Sequence, residues 1–271
     1  DRMQHDGWLE AYLQAELAGL ELVIRNQGFT GDRIDHRPRS EGFMTADEYL
    51  GLSQADVIFA MFGYNESFDG EPAEFGASLA EWIDDTRVKD YSGRGAPRIV
   101  LFSPIAHENL NDPNLPDGRD NNARLAAYAE AMEAVARDKG VFYVGLFGPS
   151  QRLYQDAASP LTLNGVHLNS DGNRQIAAFI VESLLGTRPN ADEADVEAVR
   201  QAVLDKNRHW FNRYRATDGN DVWGTRSVLE FTDGQTNFEV LQNELVQLDY
   251  MTANRDRVIW AAAAGESIDP D

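Results

Sequence analysis

Small, amide and imidazole groups follow successive apolar segments of this chain, in an arrangement suited to acyl transfer. Gly28 and Gly31 lie in a turn after one such segment, Asn65 follows another, and His167 lies in a loop ahead of a helical segment. A glycine N–H and an Asn amide can hold the oxyanion of a tetrahedral intermediate, and an imidazole can act as general base. These residue types therefore predict a site for acyl transfer.

The elements that must position these groups alternate between strands and helices. Apolar runs predict strands at residues 20–24, 56–62, 98–103 and 141–144. Amphipathic spacing predicts helices at residues 7–18, 47–53, 72–85, 122–139, 150–158 and 170–185. This alternation predicts a parallel sheet in a three-layer α/β/α fold, whose strands are covered on both faces. Ligands of such sheets gather beyond the carboxyl ends of the strands, which is where the candidate groups fall.

The character of the sequence changes after Gly186. A linker-like stretch at residues 187–190 leads into a charged helix that opens near Glu193, and residues 235–264 predict a long final helix. We therefore expect an α/β domain at residues 1–186 and a mainly helical extension at residues 187–271. The extension is expected to pack on the α/β domain, and it is also the candidate surface for assembly into a homo-oligomer.

In the order and spacing of its motifs, the chain resembles the SGNH (GDSL-like) hydrolase family over about residues 1–185. The family's glycine block is similar to residues 26–32, its Gly-x-Asn-Asp block to residues 63–66, and its Asp-x-x-His block to residues 164–167. The resemblance implies a flavodoxin-like sheet with strand order 2-1-3-4-5. It also implies an ester hydrolase that needs no cofactor.

The resemblance assigns roles to individual residues. Gly31 and Asn65 match the two oxyanion donors, and His167 matches the general base. Asn164 stands where the family has the acid of its triad, and an amide can orient the imidazole through its oxygen without supplying a full charge. Glu66 replaces the Asp of the Asn-Asp pair. The family's nucleophile block has no counterpart here, so we expect a Ser or Thr on a strand and turn upstream of Asp1.

Other polar residues near the same edge have weaker claims. His107, Glu108 and Glu66 are candidates for substrate binding because each follows a predicted strand, and loop hydrogen bonding is the alternative for His107 and Glu108. Ser67 lies beside Asn65, but it lacks the Gly-x-Ser-x-Gly setting of a nucleophile. We expect no metal site, since no tight spacing such as His-x-x-x-His supports one. The residues that would have to form it are Asp32, Glu66, His107, Glu108 and His167.

Composition excludes several classes of function. The chain has 45 acidic and 24 basic residues and a formal charge of −21, which disfavours nucleic acid as a partner. It contains no cysteine, so disulfides, thiolate nucleophiles and attached c-type haem are excluded. No apolar run reaches the roughly 18 residues of a membrane-spanning helix. The expected partner is a small-molecule or carbohydrate ester.

The sequence supports two functions of different class. Residues 107–128 and 210–260 also resemble the N-terminal SGNH-like portions of large bacterial multidomain proteins. The first interpretation is an acyl or acetyl esterase that acts on carbohydrates, located in the periplasm or secreted. The alternative is a non-catalytic SGNH-fold module for binding or assembly, which the absent nucleophile and Asn164 both favour. The residue at the nucleophile position discriminates between the two.

Overall fold

A short parallel sheet lies at the centre of the α/β part of the molecule. The computed structural model describes residues 2–39, 42–216 and 219–270, and within them this sheet has three strands in the order β1–β2–β3. The strands are β1 (Val57–Ala60), β2 (Arg98–Phe102) and β3 (Phe142–Val144). Each pair is parallel, with Ile58 opposite Ile99 and Leu101 opposite Tyr143. The α/β fold class with a parallel sheet is confirmed.

Helices of the predicted type alternate with these strands. They are α3 (Ala46–Leu52), α4 (Pro72–Arg87), α5 (Arg119–Lys139), α6 (Phe147–Asp156) and α7 (Ser170–Leu185). The helices α4 and α5 pack together, and both contribute to the core next to the sheet. The side chains of Leu79, Ile83 and Met132 in that core are completely buried, as is that of Leu101 from β2. Apolar spacing in the sequence correctly predicted these elements.

The contacts divide the chain into two compact units. One unit contains residues 31–37 and 45–176, and it holds the sheet and every candidate site residue. The other contains residues 1–30, 38–44 and 177–271. The predicted boundary at residue 186 stays a prediction. The units do not coincide with it, because the first 30 residues group with the C-terminal helices.

The second unit is mainly helical. Its elements are α1 (Met3–Asp6), α2 (Trp8–Glu16), α8 (Glu193–Arg215), α9 (Gly219–Val222), β4 (Glu230–Thr232), β5 (Gln235–Thr236) and α10 (Asn237–Ala263), together with the second half of α7. The helices α1, α2 and α10 all pack on α8. Thr236 and Glu239 form a capping box that starts α10. The predicted helical C-terminal region is confirmed, and its role in assembly stays a prediction.

The strand predicted at residues 20–24 is wrong. The chain there forms a 3₁₀ turn, Ala18–Leu20, followed by irregular backbone that joins no sheet. Carbonyl oxygens at every second residue accept hydrogen bonds from helix side chains, in the pairs Leu22 with Trp260, Ile24 with Lys206, Asn26 with Trp210 and Gly28 with Arg215. A spacing of two residues is that of an extended chain. Side chains take the place of the neighbouring strand that the apolar pattern implied.

The most deeply buried of these donors is Lys206, whose side chain is fully inaccessible. Its ammonium group donates to Glu10 at 2.8 Å, to the oxygen of Ile24 at 2.9 Å and to the side chain of Asn207 at 2.8 Å. An ammonium group has three hydrogens, so all are satisfied. Burial lowers the pKa of Lys206 and raises that of Glu10. The pair therefore depends on each partner to offset the cost of burying the other.

We expect Lys206→Met to lower the free energy of unfolding by about 3–5 kcal/mol, since it leaves Glu10 buried without its cation. Urea unfolding followed by circular dichroism measures the change. The double variant Glu10→Gln/Lys206→Met should recover part of the loss. Arg188→Met, at an exposed ion pair with Glu182, is the control and should change stability by less than about 1 kcal/mol. Similar losses in Lys206→Met and Arg188→Met would contradict the prediction.

Candidate active site

The predicted oxyanion donors lie on two loops that are bonded to each other. The side-chain amide of Asn65, which is half-buried, donates to the backbone oxygen of Asp32 at 2.9 Å. Gly31 precedes that residue, is exposed and has a φ of +82°. A methyl group placed on its Cα would meet nothing within 4 Å. The fold thus brings Gly31 and Asn65 to the same place, as the resemblance implied, with open space beside the glycine.

Glu66 fixes the position of these two loops. Its carboxylate accepts from the N–H of Ile34 at 2.9 Å and from the N–H of Gly63 at 2.9 Å, and the residue is only 3% exposed. The hydroxyl of Tyr128 on α5 donates to its backbone oxygen at 2.9 Å. Burial and the nearby negative charge of Glu66 raise the pKa of Tyr128, which keeps the phenol protonated as a donor. Substrate contact by Glu66 stays a prediction, and its bonds show a positioning role.

The three buried serines of the α/β unit are committed to the backbone. The hydroxyl of Ser67 donates to the oxygen of Tyr64 at 2.7 Å. That of Ser103 accepts from the N–H groups of Leu146 and Phe147, and that of Ser150 accepts from the N–H of Ala106. A hydroxyl held in this way supports a turn and is not presented to a substrate. Ser67 is accordingly unsuited to the role of nucleophile, as its sequence context indicated.

Asn164 and His167 contact each other within one turn. The side-chain oxygen of Asn164 accepts from the backbone N–H of His167 at 3.0 Å and lies 3.1 Å from its ring Nδ1. It also accepts from the N–H of Val166, so backbone donors fix which end of the amide faces the ring. Because that oxygen can only accept, the ring proton lies on Nδ1. In a neutral imidazole with that tautomer, Nε2 is the accepting nitrogen of His167, whose residue is exposed.

A small hairpin presents this pair. Thr162 bridges to Leu168 in antiparallel fashion, and the N–H of Leu163 donates to the oxygen of His167 at 2.7 Å. The helix α7 that follows is capped by Asn169, whose side-chain oxygen accepts from the N–H of Gly172 at 2.9 Å.

The base of this hairpin is held by Glu108, from the loop after β2. Its carboxylate accepts from the N–H of Leu161 at 3.0 Å, and from the N–H and hydroxyl of Thr162 at 2.7 and 2.6 Å. The hydroxyl of Thr162 in turn accepts from the N–H of Gly165 at 3.0 Å. The N–H of Glu108 donates to the oxygen of Gly165 at 2.8 Å. Glu108, at 6% exposed, is therefore joined to the hairpin from both its side chain and its backbone.

His107 lies under the same hairpin and is 5% exposed. The amide of Asn121 lies 3.0 Å from its Nδ1, and the side chain of Asn122 brackets its backbone with bonds of 2.7 and 2.9 Å. The ring packs against Gly165 so closely that a methyl group there would lie 2.3 Å from Nε2. Substrate binding by His107 stays a prediction. Its contacts are with the start of α5 and with Gly165 of the hairpin.

These bonds connect the candidate residues along one edge of the sheet. Glu66 joins the loops of Gly31 and Asn65 to Gly63, which lies against Pro104 after β2. The loop after β2 then reaches the hairpin through Glu108. The edge thus carries Gly31 and Asn65 at one end of this chain of contacts and His167 at the other. Such a set of groups can stabilise a tetrahedral oxyanion and accept a proton.

The sequence signal for the supporting residues was weaker than for the exposed ones. Glu108 was a candidate for substrate contact or loop hydrogen bonding and a member of an unsupported metal group, and Thr162 was missed. The position of Glu108 a few residues beyond a strand is a usable signal, since a carboxylate that becomes buried there needs several donors. Thr162 carried no signal of its own, because its partners are fixed by the fold.

Two further features bear on the kind of site. Within residues 2–39, 42–216 and 219–270, no three His, Asp or Glu side chains gather in a way that could hold a metal ion. In the same part of the chain, no helix combines the length and the apolar character needed to cross a bilayer.

Comparisons with known proteins agree on a family. A model of the GDSL-like lipase/acylhydrolase family matches residues 4–175. An acetylxylan esterase from Geobacillus stearothermophilus is similar in structure, with a TM-score of 0.50 and 16% identity over 69% of this chain and 82% of that chain. A catalytic mutant of the same enzyme gives a TM-score of 0.51 at 15% identity, with the same coverage of both chains.

A carbohydrate acetylesterase from Sinorhizobium meliloti covers 68% of this chain and 86% of its own, at 16% identity and a TM-score of 0.48. Sequence identities this low indicate a shared fold and nothing more. The acetylxylan esterase supports that fold with TM-scores of 0.50 and 0.51, whereas the Sinorhizobium meliloti enzyme, at 0.48, carries no argument. No curated protein sequence matches the chain.

We expect Gly165→Ala to lower the free energy of unfolding by about 2–4 kcal/mol, because alanine is strained at a φ of +86° and would also meet the ring of His107. Denaturant unfolding measures the loss. Gly140→Ala is the matched control, since Gly140 has a φ of +61° with nothing within 4 Å of the added carbon. It should lose only about 1–2 kcal/mol. Equal losses would show that the packing of His107 against Gly165 has no energetic weight.

Proposed function

The chain belongs to the GDSL-like lipase/acylhydrolase family, whose members hydrolyse ester bonds, and we propose that it removes acyl groups from carbohydrate esters with His167 as the general base. The observation that carries this proposal is the bond between Asn164 and His167. It leaves Nε2 as the basic atom of an exposed imidazole. Such an atom can take a proton from a hydroxyl nucleophile and return it to the departing alcohol.

The oxyanion is proposed to bind at the other end of the site. The amide of Asn65 has two N–H groups, one of which holds the oxygen of Asp32. The second, together with the N–H of Gly31, would donate to the carbonyl oxygen as it becomes negative. Glu66 supports this step without touching the substrate, because it ties both loops to β1. Removing one such donor costs about 10²–10³ in kcat in comparable enzymes.

The nucleophile is proposed to be a Ser or Thr upstream of Asp1. Two observations support this. The buried serines of the α/β unit already hold backbone groups. None of the described residues pairs with the edge of β1 that faces away from β2, and Val57 on that strand is 39% exposed. In the family that the chain belongs to, the nucleophile follows a strand in that place.

The reaction then runs in two steps. The hydroxyl oxygen attacks the acyl carbon while His167 takes its proton, and the tetrahedral oxyanion collapses as the same proton passes to the leaving alcohol. Water enters in the second step and releases the acid by the same route. The similar fold of an acetylxylan esterase supports an acetylated sugar as the substrate, which remains part of the proposal.

The test is hydrolysis of acetylated xylo-oligosaccharides and short-chain aryl esters by the full-length protein. His167→Ala should abolish turnover, with a loss of about 10⁴-fold or more, whereas His36→Ala serves as a control with little effect. A fluorophosphonate probe followed by peptide mass spectrometry should label a Ser or Thr upstream of Asp1. A labelled residue within residues 1–271 would contradict the location of the nucleophile. Equal and measurable rates for wild type and His167→Ala would contradict the base, whereas background rates for both would favour a non-catalytic module.

The amide at position 164 gives a second prediction. In Asn164→Asp the carboxylate would stabilise the protonated imidazole, so the acidic limb of the pH–kcat profile should move to higher pH. On the alkaline side of that limb, kcat should rise by at least about tenfold, since an Asp partner is far better than an Asn partner in the serine-protease triad. Asn164→Ala removes the oxygen that orients the ring and should lower kcat. An unmoved limb in Asn164→Asp would show that residue 164 does not act on the base.

A further inference from the structure

We infer that Glu108 is the positioning residue for the base of the reaction, and that it acts on His167 through the hydroxyl of Thr162. The inference rests on the proposed function, because it concerns where the base is held. It assigns a role to two residues that lie outside the glycine, Asn and His blocks. Neither residue needs to touch the substrate.

The need for such a residue follows from the exposure of the hairpin tip. Asn164 and His167 are both exposed, and the side chain of Leu163 is 61% exposed. The tip therefore has little side-chain packing of its own to hold it in place. At the other end of the hairpin, Leu161 and Thr162 are 3% and 4% exposed. The buried end therefore helps to set the position of His167.

The carboxylate of Glu108 is well matched to that task. Its two oxygens accept from three donors, namely the N–H groups of Leu161 and Thr162 and the hydroxyl of Thr162. Bonds from a carboxylate to backbone donors are stronger than bonds between neutral groups, and a buried carboxylate that lost them would be costly. The hairpin and the loop after β2 therefore hold each other in one arrangement.

Thr162 transmits this arrangement toward the tip. Its hydroxyl donates to Glu108 at 2.6 Å and accepts from the N–H of Gly165 at 3.0 Å. The oxygen of Gly165 is held by the N–H of Glu108, so both sides of that residue are fixed. Gly165 stands between Asn164 and His167 in the turn. Its placement consequently fixes where the Asn164 oxygen and the imidazole meet.

The predicted effect falls on turnover and not on substrate affinity. The hairpin carries the base, whereas the oxyanion donors are on loops that Glu66 holds independently. A displacement of about 1 Å in a catalytic group can cost about 10²-fold in rate. Loss of the Glu108 bonds should therefore lower kcat while KM changes little.

The matched variants are Thr162→Val, which keeps the shape but removes the hydroxyl, and Thr162→Ser, which keeps the hydroxyl. We expect Thr162→Val to lower kcat by about 10²-fold with KM within about twofold, and Thr162→Ser to retain most of the wild-type kcat. Glu108→Gln should resemble Thr162→Val, because its amide group presents hydrogens to N–H donors. Equal kcat for wild type, Thr162→Val and Glu108→Gln would overturn the inference while leaving the hydrolase proposal intact.

A measurement without substrate separates the inference from the function. Amide hydrogen exchange of Leu163 and His167 reports the hairpin directly, since both N–H groups are bonded within it. In Glu108→Gln and Thr162→Val we expect these amides to exchange at least about tenfold faster than in wild type, with α4 unchanged. Unchanged exchange would overturn the inference even if the protein proved inactive on esters. Faster exchange with an inactive wild type would support the positioning and contradict the proposed function.

Discussion

The site depends on two buried carboxylates that must be surrounded by hydrogen-bond donors. Glu66 after β1 and Glu108 after β2 are nearly inaccessible, and a buried carboxylate is stable only where several N–H or O–H groups converge on it. For Glu66 those donors come from the glycine-block loop and from Gly63, and for Glu108 they come from the hairpin. Satisfying the two acids therefore draws separate loops to the carboxyl edge of the sheet, and the groups suited to catalysis are carried on those loops.

In the helical unit one buried charged group is a cation, and hydrogen-bond acceptors converge on it. Lys206 is fully buried and finds three acceptors, one of which is a carbonyl of the irregular segment after α2. The two tryptophans Trp210 and Trp260 hold other carbonyls of that segment through their ring N–H groups. The backbone is thus satisfied without a neighbouring strand, which is unusual for a segment with strand-like composition. Long polar side chains on packed helices make that possible.

The spacing of apolar residues predicted much of the fold, and local motifs singled out the exposed residues of the candidate site. The strands β1, β2 and β3 are apolar runs, of which β2 is buried over its last four residues, and α4 and α5 have clear amphipathic faces. Asn164 and His167 meet because a three-residue separation in a tight turn brings them together. The strand expected at residues 20–24 failed because composition reports a preference for extended backbone. It does not report whether the partner is a strand or a set of side chains.

The sequence alone determined the alternation of strands and helices, the exclusion of thiol chemistry and the residue types available at the end of each strand. These properties are local, since they depend on composition and on neighbours a few positions apart. Only the tertiary structure decided that Glu108 serves the hairpin, because its partners Leu161 and Thr162 lie 53 and 54 residues further along the chain. It likewise decided that Glu66 faces backbone donors. Which donors reach a buried acid depends on how distant segments pack, and no spacing within one segment encodes that.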